Sequence, residues 1–199
     1  MADTDRTRWN TKYEGGADAP FTAHPLTARA LSLALPDGPM LDLASGPSGN
    51  ALLAARHGRD VLAVDISDVA LRRLDQEARR RGVSGLVRTE EADLEVWRPE
   101  AGAFAFVLCA GYWDRALFEP ATRAVMPGGL LAWEAFTLDA RSARPSLPGE
   151  WCLAEGEPAS LLPAGSAVLE QADLPKSGKR RLLARLPGQP RSTSTTTGA

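Results

Sequence analysis

Two cysteines and two histidines in 199 residues leave this chain little for metal or thiol chemistry. Cys109 lies in an apolar run and Cys152 in a loop-like stretch. The pair makes neither a metal cluster nor a disulfide framework, so both read as reduced thiols and no metal is expected. There is no surplus of charge either. Lysine and arginine number 23 against 25 acids, a net charge of −2, which argues against electrostatic capture of nucleic acid. No apolar run reaches the ~18 residues of a membrane span. The first residues, Met1 to Arg6, lack the apolar core of a signal peptide. The expectation is one cytoplasmic domain over residues 1–186, monomer or homodimer, with no membrane partner. Residues 1–20 read as a lid-like segment, and residues 187–199, rich in Ser, Thr, Gly and Pro, as a disordered tail.

What is present is an alternation of strand and helix signals. It marks an α/β fold: a Rossmann-like, doubly wound, mostly parallel seven-stranded sheet. Strands are expected at 39–44, 61–65, 86–91, 104–110 and 130–136. Helices are expected at 21–35, 49–57, 67–82 and 116–126, with Ser67 or Asp68 as a cap. Pro127-Gly128-Gly129 reads as a sharp turn before the fifth strand. Residues 166–173 and 179–186 flank a four-residue connection, so they form a C-terminal antiparallel hairpin.

The richest segment runs from Met40 to Ser67. Met40 to Ala44 and Val61 to Val64 are near-continuous apolar runs, as strands buried on both faces must be. Between them Ala44, Ser45, Gly46, Ser48 and Gly49 form a small-residue turn that lets a ligand approach the backbone. The helix that follows offers free N–H groups. Asp65 ends the second strand about 20 residues on, where a carboxylate accepts hydrogen bonds from ribose hydroxyls. The spacing is Ala44-x-Gly46-x-Ser48 and not the G-x-G-x-x-G of a dinucleotide site.

At this point the chain resembles the class I S-adenosylmethionine-dependent methyltransferases. Their first motif pairs an acid with a small-x-Gly-x-Gly turn, matched here by Asp42, Ala44 and Gly46. Ser48 stands where glycine is usual, and Gly49 follows it. Asp93-Leu94 resembles the motif whose acid meets the adenine amino group. Phe104 to Val107 resembles the fourth-strand motif, with Ala105 where an aspartate is usual. Narrower segments resemble small methyltransferases of the tellurite-resistance and thiopurine type. These are Trp9-Asn10-Thr11-Lys12-Tyr13, Tyr112 to Phe118, and Trp133 to Thr137.

The resemblance implies S-adenosylmethionine as cofactor and S-adenosylhomocysteine as product. It places Asp42, Ala44, Ser45, Gly46, Ser48, Gly49, Asp65, Ile66, Asp93, Leu94 and Cys109 around the cofactor. It implies methyl transfer to a small-molecule substrate by in-line displacement, with no catalytic triad. Trp9, Tyr13, Tyr112, Trp113, Arg115 and Glu134 are the substrate-side candidates. Two alternatives stay open. Ser48 and Ala105 motivate a methyltransferase-fold binding module without catalysis. An NAD(P)-dependent oxidoreductase is the third reading, opposed by the glycine spacing and the hairpin. His24 and His57 read as helix-end residues. The arginines of residues 72–81 read as a solvated face, and Lys176, Lys179, Arg180 and Arg181 as solubilising charges beside the hairpin turn.

Overall fold

A computed structural model describes residues 2–15, 20–47 and 49–188. Seven strands form one sheet: β1 (Met40–Leu43), β2 (Val61–Asp65), β3 (Val87–Glu91), β4 (Phe104–Ala110), β5 (Val125–Phe136), β6 (Ala167–Leu174) and β7 (Lys179–Arg185). Their spatial order is β3-β2-β1-β4-β5-β7-β6. The first five run parallel, and β7 inserts antiparallel between β5 and β6. The order reverses direction beside β1, and open α/β sheets take ligands at that switch point.

Alternation along each central strand divides the core between two faces. Leu41, Leu43, Val107, Cys109, Leu131 and Trp133 pack with Leu117, Phe118 and Ala121 of α5 (Arg115–Ala124). Met40, Ala63, Phe106, Leu108 and Leu130 pack on the other face with Leu26 and Ala30 of α2 (Pro25–Leu31). They also meet Leu52 of α3 (Asn50–Arg56) and Leu74 of α4 (Asp68–Arg80). α1 (Ala2–Gly15) rests against α4.

Two expected elements differ. The helix expected over 21–35 is only Pro25–Leu31. Residues 21–24 are drawn out over the start of α3, where Gly49 N donates to Thr22 O at 3.3 Å and His24 N to Asn50 Oδ1 at 2.7 Å. His24 then caps α2, its Nδ1 accepting from Leu26 N at 3.3 Å. Pro127-Gly128-Gly129 does not precede β5 but lies inside it, at an irregularity in the β4–β5 register between Phe104 and Phe106. Gly129 allows that close passage, since a Cβ there would lie 2.7 Å from Ala105 O.

The arginines of α4 form the expected solvated face except Arg73, which is half-buried and donates to Tyr13 O. Arg72, Arg79, Arg80 and Arg81 pair along α4 with Asp68, Asp75 and Glu77. His57 caps the end of α3. Both cysteines are free thiols. Among the described residues, no helix is long and apolar enough to cross a membrane, and no group of His, Cys, Asp and Glu could hold a metal ion. The expected disordered tail falls mostly on residues 189–199, outside the described residues, as does Ser48.

Candidate active site at the carboxyl ends of the strands

Two cavities meet at Ala44 and Ala110, just past or at the ends of β1 and β4. The smaller, about 300 Å³, is lined by Thr22 to Pro25, Asp42, Ala44, Ser45, Asn50 and Ala110. The larger, about 460 Å³, lies toward β2 and β5. Asp65, Ile66, Asp93, Leu94 and Glu95 form one end, and Phe136, Leu147, Trp151 and Lys179 contribute to its wall. Arg8, Trp9, Lys12 and Tyr13 of α1 also face it.

The turn after β1 is held by Asp65. Its Oδ2 accepts from Gly46 N at 2.8 Å, and its Oδ1 accepts from Ser67 N at 2.8 Å. One carboxylate thus joins the β1 turn to the start of α4. Burial raises its pKa, opposed by the N–H groups of Ser67, Gly46 and Ile66 and by Lys12. Two bonds leave acceptor capacity on both oxygens, so the group can still take ribose hydroxyls. Ala44 adopts φ 49°, a left-handed conformation that costs a non-glycine residue roughly 1–3 kcal/mol and clusters at functional sites. Gly46 follows at φ 53°.

The two glycines of the turn serve the chain's own N-terminal residues. A Cβ on Gly46 would meet the Tyr13 hydroxyl at 2.8 Å. A Cβ on Gly49 would meet backbone of Phe21 to Ala23 at 2.6–2.7 Å. Neither glycine lines a cavity. The start of α3 is therefore partly covered by residues 21–24. The turn still offers a ligand its remaining polar groups. Ser45 is 5% exposed, and its Oγ is buried without a hydrogen-bond partner among the described residues. An orphaned hydroxyl of that kind calls for a polar ligand atom. Asp42, 1% exposed, lines the same small cavity. The donor and acceptor set fits an adenosyl amino acid, with Asp65 toward the ribose and Ser45 and Asp42 toward the amino-acid end.

Of the remaining sites expected around a cofactor, Ile66, Asp93 and Leu94 line the larger cavity. Cys109 does not. Its side chain is fully buried in the core, its Sγ donates to Tyr112 O at 3.5 Å, and burial drives its pKa well up. Of the substrate-side candidates, Trp9, Tyr13, Tyr112 and Trp113 face the larger cavity. Trp113 is also a core residue, 5.7 Å edge-on to Trp133. Arg115 faces neither cavity and pairs with Glu157.

Glu134 is 4% exposed at the end of β5 and gathers three bases. His24 Nε2 lies 3.1 Å from it, Lys179 Nζ 3.1 Å and Arg181 Nη2 3.3 Å. Since Nδ1 of His24 accepts the cap bond, its Nε2 carries the proton that Glu134 accepts. Burial alone would raise the Glu134 carboxyl, but His24 and Lys179 outweigh it and hold it near a pKa of about 2. Lys179 and Arg181 are therefore not free solubilising charges. Arg180 likewise pairs with Asp173. Ala105 sits at the start of β4, fully buried, with its N donating to Pro39 O at 2.9 Å. That is the strand end remote from both cavities, so the missing acid takes nothing from their lining.

Sequence reasoning missed Lys12, Arg8, Phe136's neighbour Lys179, and Trp151. Arg8 and Lys12 follow from helical spacing, since residues 5, 8, 9, 12 and 13 share one face of α1. Trp151 had no local signal. It reaches the cavity because Leu153 N bonds Phe136 O at 2.8 Å and draws the β5–β6 connection back over the sheet.

Residues 40–129 match the model of the methyltransferase domain family. Over that segment, 90 of the 199 residues, the chain is similar to methyltransferase domains, and with the sheet order this supports a class I methyltransferase fold. The match and the fold together support S-adenosylmethionine as cofactor. The matched span contains the cradle, β2, β4 and Tyr112–Phe118, but not Trp9–Tyr13 or Trp133–Thr137, the other two segments of the narrower resemblance. Solved structures share the fold. One described for conversion of a disulfide bond into a thioacetal group during echinomycin biosynthesis has a TM-score of 0.65 at 16% identity, covering 93% of this chain and 94% of that one. Geranyl diphosphate C-methyltransferase from Streptomyces coelicolor A3(2) has 0.60 at 16%, over 80% and 76%. An S-adenosylmethionine-dependent methyltransferase from Mesorhizobium loti has 0.61 at 17%, over 81% and 96%. No curated protein matches this chain in sequence.

Proposed function

We propose that the chain methylates a small-molecule acceptor that enters the larger cavity from the side of Phe136 and Trp151. The observation that carries this is the meeting of the two cavities at Ala44 and Ala110. Together they provide an adenosyl-amino-acid site and, continuous with it, space walled by Tyr112, Trp113, Phe136 and Trp151. The neighbour that acts on geranyl diphosphate is a small-molecule enzyme by its own name, and it supports the same class of acceptor here.

S-adenosylmethionine supplies a methyl group already activated on a sulfonium. The protein's share is then to orient and to exclude water. Asp65, fixed by Gly46 and Ser67, locates the ribose. Ser45 and Asp42 locate the amino-acid end. Trp9 and Tyr13, stacked at 5.8 Å, cover the cavity from α1. A general base is needed only if the acceptor sheds a proton near neutral pH. Lys12 Nζ stands in the cavity 4.2 Å over the Trp9 ring, and burial followed by Arg8 lowers its pKa.

Calorimetric titration with S-adenosylmethionine, S-adenosylhomocysteine and NADH tests the reading. Micromolar binding of the first two and none of the third is expected. Absence of binding by either adenosyl ligand would sink it.

A further inference from the structure

The larger cavity is electrically divided. At the β2–β3 side it presents Asp65, Asp93 and Glu95, with Lys12 of α1 interacting with Asp65. At the β5 side the lining cations are Lys179 and Arg8, the latter beside Asp5, among the rings of Phe136 and Trp151. Lys179 Nζ lies 5.4 Å from the Phe136 centroid, and the Arg144 guanidinium, behind the wall, lies 4.8 Å from the same ring. The Arg8 guanidinium is held between two indoles, 5.2 Å from Trp9 and 4.9 Å from Trp151.

The acids near this end are oversubscribed. Glu134 serves Lys179, Arg181 and His24. Arg181 has a second, looser partner in Glu170 at 3.9 Å. Arg8 has Asp5 at 3.1 Å, a half-exposed contact between neighbours on one helix. Each of these cations has a carboxylate within 4 Å, but Lys179 shares Glu134 with Arg181, and the Asp5 contact is half-exposed and screened, so Lys179 and Arg8 keep a positive field in a partly desolvated wall that favours a counter-anion. Aromatic faces beside those cations suit a flat apolar body.

We propose that this end is an anion-holding acceptor subsite: the acceptor carries a carboxylate or phosphate that meets Lys179 and Arg8, with its flat body against Phe136 and Trp151. The inference rests on the methyl-transfer reading and narrows it to anionic acceptors. Asp65, Asp93 and Glu95 repel such a molecule from the adenosine end, so the division of charge also fixes which way round it enters.

The test is an NMR titration of the full chain, with and without S-adenosylhomocysteine, using benzoate, phenyl phosphate and the neutral isostere benzamide. At least one anion should bind about tenfold more tightly than benzamide, the scale of one charge-assisted hydrogen bond. Preference for benzoate identifies a carboxylate source, and preference for phenyl phosphate a phosphate. Lys179→Met should remove that margin and leave benzamide unchanged. Arg8→Gln, which touches neither Glu134 nor the sheet, should narrow it and serves if the first variant does not fold. Benzamide binding as tightly as both anions, or anion affinity unchanged in the folded variants, overturns the inference. Binding of S-adenosylhomocysteine without anion preference overturns the subsite alone. Anion preference without S-adenosylhomocysteine binding overturns methyl transfer and leaves the subsite standing.

Discussion

The floor and the roof of the larger cavity are built by different physics. The floor is strand ends. Ala44, Asp65, Leu94 and Ala110 sit on or beside a parallel ladder with apolar packing on both faces. The roof is α1 and the 137–165 connection. No described residue of α1 is buried, and the helix is held by polar contacts. Asn10 donates to Asp68 Oδ1 at 2.7 Å and accepts from the Ser67 hydroxyl at 2.6 Å. Arg73 donates to Tyr13 O at 2.9 Å, and Arg6 lies 3.2 Å from Glu91. Such contacts contribute roughly 0.5–1.5 kcal/mol each, far less than a packed strand. The difference teaches that the surface which positions the cofactor and the one that covers it open at separate free energies.

Four substitutions press on that contrast. Glu134→Gln strikes the floor hardest. The wild-type carboxyl, depressed to a pKa of about 2, contributes stability that is present above its unfolded value near 4.5 and lost as pH falls through about 2. The variant should lose about 3 kcal/mol at pH 7, and the two proteins should converge in acid. Denaturant unfolding across pH measures this, and equal stability at neutral pH would show the three bases need no acid. Gly49→Ala should cost about 2 kcal/mol by forcing residues 21–23 off the start of α3. A melt unchanged by the extra methyl would show that passage to be loose.

Asp65→Ala should weaken S-adenosylhomocysteine binding about tenfold or more, as loss of a charge-assisted bond of roughly 1.5–3 kcal/mol implies. Since burial raises the Asp65 pKa, wild-type affinity should fall on acidification before an ordinary aspartate would titrate. Calorimetry reads both effects, and a folded variant of unchanged affinity removes Asp65 from the ribose. Asn10→Ala should cost least, about 1 kcal/mol, confined to α1. Amide exchange should quicken in residues 2–15 while the sheet stays protected. Loss of protection throughout would merge floor and roof into one unit.

The floor was legible in the sequence because each of its signals is local. Apolar runs marked β1, β2 and β4, and the expected Phe104–Ala110 is the observed strand. Ser67 was recognisable as a cap, and Asp65 as the acid closing β2. The roof was not, because nothing in α1 shows an apolar stripe. Residues 1–20 therefore read as a lid-like segment without a helix. Residues 21–24 read as helix because their pull toward Asn50 and Gly49 is a tertiary effect. Trp113, read as substrate-side, does line the larger cavity, but its packing against Trp133 and Phe118 was not legible, because an indole at a strand end does not declare how much of it the core takes. Lys179 read as a solubilising charge because its inward path depends on the Phe136–Lys179 pairing of β5 with β7, more than forty residues apart.

That last pairing has a consequence in time. A chain made from its amino end completes Asp42, Asp65 and the cradle early. Glu134 follows, and its partners Lys179 and Arg181 come only with the final strand. Until then one acid stands at a strand end with His24 as its sole base. The last segment to emerge thus closes the sheet and brings Lys179 to a cavity whose other walls, from Arg8 to Trp151, precede it in the chain.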